Sequence, residues 1–162
     1  MNQGFPPVYF SDSRVLILGS FPSVKSREDG FYYGNKQNRF WDTLSRIFST
    51  KLPLDKEQKI KLLKAHKIAL WDTVEKCDIK GSKDRDIKGG AYCINAVNEL
   101  IAAFSCELII CNSKKSYEIF TRNFNVDIPV ICLPSTSMAN VSFDFNKWKN
   151  ALDFLNEGGN YD

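Results

Sequence analysis

With 162 residues, 43% of them apolar, the chain has the length for one domain with a substantial core, and the lack of long polar runs argues against intrinsic disorder. Its net charge of +3 is only weakly basic, so the 22 Lys and Arg matter through placement rather than through their sum. Five cysteines, odd in number and without a C-x-x-C pair, argue against a disulfide framework and against a cysteine-held zinc or iron–sulfur site. Cys106, Cys111 and Cys132 lie in or beside apolar runs and read as small core residues. No charged-then-apolar leader and no apolar run of about 20 residues is present, so a reducing cytoplasm is the expected compartment.

Four short apolar runs read as buried strands, in chain order Arg14–Leu18, Lys67–Trp71, Glu107–Cys111 and Pro129–Leu133. Helical spacing predicts helices over Gln37–Phe48, through Phe40, Trp41, Leu44 and Phe48, and over Asp55–Ala65, through Ile60, Leu62 and Leu63 above a Lys-rich face. Cys93–Phe104 and Ser113–Phe124 read as two more, and Phe143–Leu155 closes the chain with Phe145, Trp148, Leu152 and Leu155. Lys76–Gly90, charged and bounded by glycine, reads as a surface loop; no internal repeat or linker stands out, so residues 1–162 are expected to be one domain. Strand alternating with helix implies an α/β fold, a parallel sheet with helices on both faces. Ligands of such sheets bind beyond the carboxyl ends of the strands.

Two segments converge on that edge. The first runs from Gly19-Ser20-Phe21-Pro22-Ser23 through Gly30 to Trp41, a turn crowded with aromatics and amides. Aromatic faces and carboxamides suit a planar aromatic ligand. The second is Pro134–Asn140, where Ser135, Thr136 and Ser137 offer hydroxyls and backbone N–H groups to phosphate oxygens or, alternatively, cap a following turn.

G-S-F-P-S at Gly19–Ser23, the Y-Y-G-N-x-Q-N-R-F-W run ending at Trp41 and L-P-S-T-S at Leu133–Ser137 together resemble the signature segments of the uracil-DNA glycosylase superfamily. The match is closest to its hypoxanthine-DNA glycosylase branch. The resemblance implies a three-layer α/β/α sandwich with a four-stranded parallel sheet, and a metal-free enzyme without cofactors. Three departures refine it. Phe21 stands where uracil-specific relatives carry the Asp or Asn that handles the attacking water; Ser23 replaces a bulky Tyr; Leu133 replaces a catalytic His. A wider pocket, open to a purine, follows from the second.

The resemblance also implies that an Asn of the first segment carries catalysis, and Asn38 and Asn35 are the candidates, Asn38 first. A carboxamide can hydrogen-bond a water or a base edge but takes no proton at neutral pH. Asn38 reads equally as a helix N-cap and Asn35 as a turn residue. Tyr33 aligns with the aromatic that stacks on a flipped base, and Gly19, Ser20, Phe21, Pro22 and Ser23 with the base pocket. Met138 falls where relatives insert an apolar wedge into the duplex. Lys25, Ser26, Arg39, Ser135, Thr136 and Ser137 are candidates for the DNA backbone, with Arg39 equally a brace for its loop.

Asn112, Ser113 and Lys114 open a helix and read as a cap or a further phosphate site; Asp72 reads as a cap or as a residue approaching the ligand edge, His66 as structural, and Glu28 and Asp29, the acids nearest the first segment, as candidate water activators. The expected protein is a monomeric, monofunctional DNA glycosylase of base excision repair. It acts on double- or single-stranded DNA with a deaminated base, chiefly hypoxanthine. The alternatives are a mismatch-type uracil-DNA glycosylase and a nucleic-acid-binding module without catalysis.

Overall fold

A computed structural model describes residues 2–77 and 92–157. Asn2–Gln3 forms a short strand (β1), and Val15–Gly19 forms β2, whose five residues are all buried. β2 pairs in parallel with β3 (Ile68–Asp72) on one side, from Val15 opposite Ile68 to Gly19 opposite Asp72. On its other side it pairs with a strand Leu108–Cys111, which in turn pairs with Val130–Cys132.

The helices are Val24–Asp29 (α1), Phe40–Ile47 (α2), Lys56–Ala65 (α3), Val97–Ala102 (α4), Lys114–Asn123 (α5), Phe145–Leu152 (α6) and Phe154–Glu157 (α7). With Val74–Cys77 as β4 and Tyr92–Ile94 as β5, Leu108–Cys111 becomes β6 and Val130–Cys132 β7, and the main sheet has the order β3-β2-β6-β7. Alternate residues of its strands feed two cores. Val15, Ile17, Ile68, Leu70 and Ile110 face Phe40, Trp41 and Leu44 of α2, Leu62 and Leu63 of α3 and Trp148 and Leu152 of α6. Leu16, Leu18, Ala69, Ile109 and Cys111 face Val97 and Leu100 of α4 and Phe120 of α5. The expected three-layer α/β/α sandwich with a four-stranded parallel sheet is therefore the fold, because a parallel strand must be covered on both faces.

Connections leave β2 and β6 in opposite directions, so the crevice beyond their carboxyl ends is the topological switch point. Every chain segment expected to carry chemistry reaches that edge.

Three local expectations are corrected. Tyr92–Ile94 is a strand, not the start of a helix, because it pairs antiparallel with Val74–Cys77 in a second sheet, β1-β4-β5. The helix expected from Cys93 begins at Val97. Lys76 and Cys77 end β4 rather than open a loop, and the remainder of the Lys76–Gly90 segment lies outside the described residues. The helix expected from Gln37 begins at Phe40, where the Asn38 Oδ1 accepts the Phe40 N–H at 2.9 Å.

His66 follows α3 and stacks on Phe48 with ring centroids 4.1 Å apart. Burial lowers its pKa below the ordinary 6.5. The unfolded chain therefore binds a proton at His66 more readily than the native one, and stability falls as pH drops through about 6.5. Glu107, held below the ordinary 4.5 by its hydrogen bond to Arg14, acts in a more acidic range. A melting series from about pH 7 to pH 5 is expected to lose less stability in His66→Phe, which keeps the stack, than in the wild type.

Candidate active site

The first site segment leaves β2 at Gly19, opposite Asp72 in register. A Cβ on Gly19 would lie 2.5 Å from the Asp72 Oδ1 and 3.2 Å from the Tyr33 hydroxyl, so glycine is what lets these three residues meet. Gly19→Ala is expected to cost about 1–3 kcal/mol through overpacking. A melting curve that matches the wild type would show that Asp72 yields without cost.

The Gly19 carbonyl accepts from the Thr73 N–H at 2.8 Å and the Ser20 carbonyl from the Val74 N–H at 3.0 Å, which fixes the turn's backbone against the end of β3. Ser20 and Pro22 are buried. Phe21 turns away from the crevice: its ring packs with Val74, Cys77 and Ile119, with the Arg27 guanidinium 5.5 Å from its centroid. At this position the chain offers backbone, and the side chain serves the second sheet.

Ser23 accepts the Ser26 N–H at 3.1 Å and so caps α1, a helix that ends at Gly30 in the left-handed region (φ 86°). The Ser-to-Gly spacing is the sequence signal for this short helix. Ser26 is 3% exposed and its Oγ accepts the Gly34 N–H at 3.0 Å. Its hydroxyl thus holds the loop from within, where a phosphate does not reach. Lys25 is exposed on the same helix, about one turn from Glu28. Asp29, also exposed, leans on Gly34, where a Cβ would stand 2.7 Å from its Oδ2.

Of the aromatic trio, Phe31 and Tyr32 belong to the core. The Tyr32 hydroxyl donates to the Pro6 carbonyl at 2.8 Å, and burial first, then the nearby Asp72 and Tyr33, push its pKa up. Tyr33 differs. It is half-buried, adopts φ 52° and stacks on Phe40 with centroids 4.0 Å apart. A left-handed non-glycine residue persists only where its surroundings fix it, and such residues cluster at functional sites.

Asn35 and Asn38 form successive turns. The Asn35 Oδ1 accepts the Gln37 N–H at 3.0 Å, and its carbonyl accepts the Asn38 N–H at 2.9 Å. With one lone pair of the Asn38 Oδ1 taken by the Phe40 N–H, its NH₂ is the donor that it offers a ligand.

The second segment packs beside the first. Thr136 is fully buried; its N–H donates to the Asn112 Oδ1 at 3.0 Å, and its Oγ1 accepts from the Asn112 Nδ2 at 2.9 Å. That reciprocal pair ties the end of β6 to the loop after β7, so Thr136 braces the site rather than presenting its hydroxyl to solvent. Ser113 caps α5 by accepting the Ser116 N–H at 3.0 Å, with Lys114 next in line. Around Thr136, the Ser135 Oγ accepts the Ser137 N–H and the Ser137 Oγ accepts the Ala139 N–H. The Asn140 Nδ2 donates to the Ser135 carbonyl at 2.9 Å. This self-bonded loop leaves two apolar side chains in solvent, Met138 at 55% and Val141 at 97% exposure.

Arg39 joins the two segments. Its N–H donates to the Thr136 carbonyl at 3.0 Å, and its Nη1 donates to the carbonyls of Ser137 at 2.9 Å and Asn140 at 3.2 Å. Its guanidinium carbon lies 5.0 Å from the centroid of Phe143. Val141, the place of Phe143 beside Arg39 and the meeting of Asp72 with Tyr33 at Gly19 escaped the sequence reading. Only the N-x-x-F spacing from Asn140 to Phe143 carries a signal, and it is a weak one. No cluster of three or more metal-ligating side chains occurs among the described residues, and no described helix is long and apolar enough to cross a membrane.

Comparison with known proteins gives this edge a lineage. A family model for the uracil DNA glycosylase superfamily matches residues 6–156. The chain is 35% identical over 151 residues to a Methanosarcina acetivorans protein named hypoxanthine DNA glycosylase, covering 91% of this chain and 93% of that one. It is 34% identical over 143 residues to a protein of the same name from Methanosarcina barkeri, covering 86% and 88%. A solution NMR structure from Methanosarcina acetivorans, provisionally named a uracil DNA glycosylase, superposes with a TM-score of 0.80 at 32% identity over 95% of this chain and 98% of that one. A match that spans the whole sandwich, and takes in both loop segments on its carboxyl edge, means that the chain belongs to the uracil DNA glycosylase superfamily.

Proposed function

We propose that this chain is a monofunctional DNA glycosylase of base excision repair, a monomer of one domain. It extrudes a deaminated base from DNA, chiefly hypoxanthine, and hydrolyses its N-glycosidic bond to leave an abasic site. The observation that carries the reading is the bond from the Arg39 N–H to the Thr136 carbonyl, which sets the Asn38 amide beside a loop bearing exposed Met138 and Val141. A base-holding group and an apolar tip side by side suit an enzyme that flips a nucleotide and fills the gap behind it. The names of the two Methanosarcina relatives support hypoxanthine as the base. So do the small side chain of Ser23 and the packing of the Phe21 ring with Val74, Cys77 and Ile119.

In the reaction the C1′–N9 bond breaks, its electron pair leaves with the base, and a water oxygen bonds to C1′, losing a proton to solvent while the departed base anion takes one up. With oxocarbenium character at the sugar, the protein helps by holding the base as charge builds on it and by positioning the water. The Asn38 NH₂ donates to the leaving base, with Asn35 as second candidate. Tyr33, backed by Phe40, stacks on the base above the Gly19–Ser23 turn. Met138 and Val141 fill the duplex, and Lys25, Ser135 and Ser137 take the flanking phosphates.

The test is a single-turnover assay in chelator on duplexes with one deoxyinosine, one deoxyuridine or neither, followed by alkali cleavage of abasic sites. Fastest cutting at deoxyinosine is expected. Cutting at deoxyuridine alone would move the protein to a mismatch-type uracil enzyme, and no abasic product from any duplex would leave a binding module.

A further inference from the structure

The Ser137–Asn140 turn is closed by the Asn140 N–H donating to the Ser137 carbonyl at 3.0 Å, and Met138 stands at its tip. Both carbonyls that frame this turn, Ser137 and Asn140, are taken by one nitrogen of Arg39. The residue before Arg39 is Asn38, and the Arg39 N–H donates to the Thr136 carbonyl at the start of the same turn at 3.0 Å. Phe143, just past the turn, holds its ring centroid 5.0 Å from the guanidinium carbon. A planar, permanently charged fork held by two carbonyls and a ring is poorly disposed to leave them for a phosphate in solvent.

We infer that Arg39 is a positioning residue that locks the exposed Met138 turn to the Asn38 segment, so that insertion of the turn into duplex DNA and placement of the Asn38 amide on the extruded base occur in one geometry. The inference rests on the glycosylase reading. It assigns Arg39 to the alignment of two catalytic-edge segments rather than to DNA contact. The duplex is where the lock matters: an extruded base leaves a gap in a stack, and the turn must fill it while Asn38 holds the base. A single strand has no such gap.

Three measurements on Arg39→Gln and Arg39→Lys test it. In free protein, amide exchange across residues 135–142 is expected to quicken in Arg39→Gln and to recover partly in Arg39→Lys, whose ammonium can still donate to a carbonyl. At saturating enzyme, Arg39→Gln is expected to lose about 10- to 100-fold in cutting deoxyinosine in a duplex, as misplacement of catalytic groups does, with a much smaller loss on single-stranded deoxyinosine. The slope of log Kobs against log[salt] for duplex binding is expected to match the wild type.

A slope shallower by about one unit with loop exchange unchanged marks a phosphate contact and overturns the inference. Equal losses on duplex and single strand overturn the link to insertion. If the wild type cuts no lesion at all, the glycosylase reading fails by itself, while loop exchange and the salt slope still decide the role of Arg39.

Discussion

Asn38→Asp is expected to fold like the wild type and to excise hypoxanthine about 10²- to 10³-fold more slowly, the range seen when one preorganised donor to a developing anion is removed. The prediction follows from the hydrogen bond that starts α2. The Asn38 Oδ1 accepts the Phe40 N–H at 2.9 Å, and a carboxylate oxygen does the same, so the turn that leads into α2 survives. What disappears is the NH₂, and a negative oxygen takes its place beside a base that is gaining electrons. Asn38→Ala should lose as much excision and, in addition, about 1 kcal/mol of stability with the hydrogen bond to Phe40. Melting curves and single-turnover rates on the two variants separate the two roles. An Asn38→Asp enzyme as fast as the wild type would mean that the carbonyl oxygen, holding the water, is the working atom. A larger loss from Asn35→Asp would move the role to Asn35, whose Oδ1 is held by the Gln37 N–H in the same manner.

Asn112→Ala is expected to be the most damaging single change to the architecture of the site. Thr136 is fully buried, and its N–H and Oγ1 both find their partner in the Asn112 carboxamide. Stranding a buried polar group costs about 1–3 kcal/mol, and here two are stranded at once. For a chain of this size each kcal/mol lowers the melting temperature by about 2–4 °C. The Pro134–Asn140 loop should also loosen, because Asn112 is its tie to β6, so excision should fall even where the protein remains folded. Asn112→Asp keeps the acceptor for the Thr136 N–H and should recover part of the stability. If Asn112→Ala melts with the wild type, ordered water has replaced the carboxamide and the tie is dispensable.

Much of the fold was legible because its signal is local. The four strands were found within one or two residues, since runs such as Val15-Leu16-Ile17-Leu18 are too short and too apolar to be anything but strands covered on both faces. Helices α3 and α5 were equally plain, with Asp55 and Ser113 capping them. The second sheet was not legible. Val74–Cys77 and Tyr92–Ile94 carry mixed burial, and they are strands through pairing with each other and, for Val74–Cys77, with Asn2–Gln3. Helix periodicity alone drew Cys93 and Ile94 into α4.

The amino-acid sequence by itself determined the alternation of strand and helix, the edge of the sheet where chemistry gathers, and the two segments that meet there, because periodicity, caps and turn residues act within a few positions of one another. Only the tertiary structure decided which polar side chains are left for a ligand. Ser26 and Thr136 read as candidates for phosphate, but their hydroxyls are spent inside the loops that they hold. Phe21 read as pocket and packs its ring against the second sheet, while Arg39, open between phosphate and brace, grips carbonyls about a hundred residues away. A side chain's local surroundings fix its conformation, but its hydrogen-bond partner is whatever group the folded chain brings within about 3 Å, and that group can come from any point in the sequence.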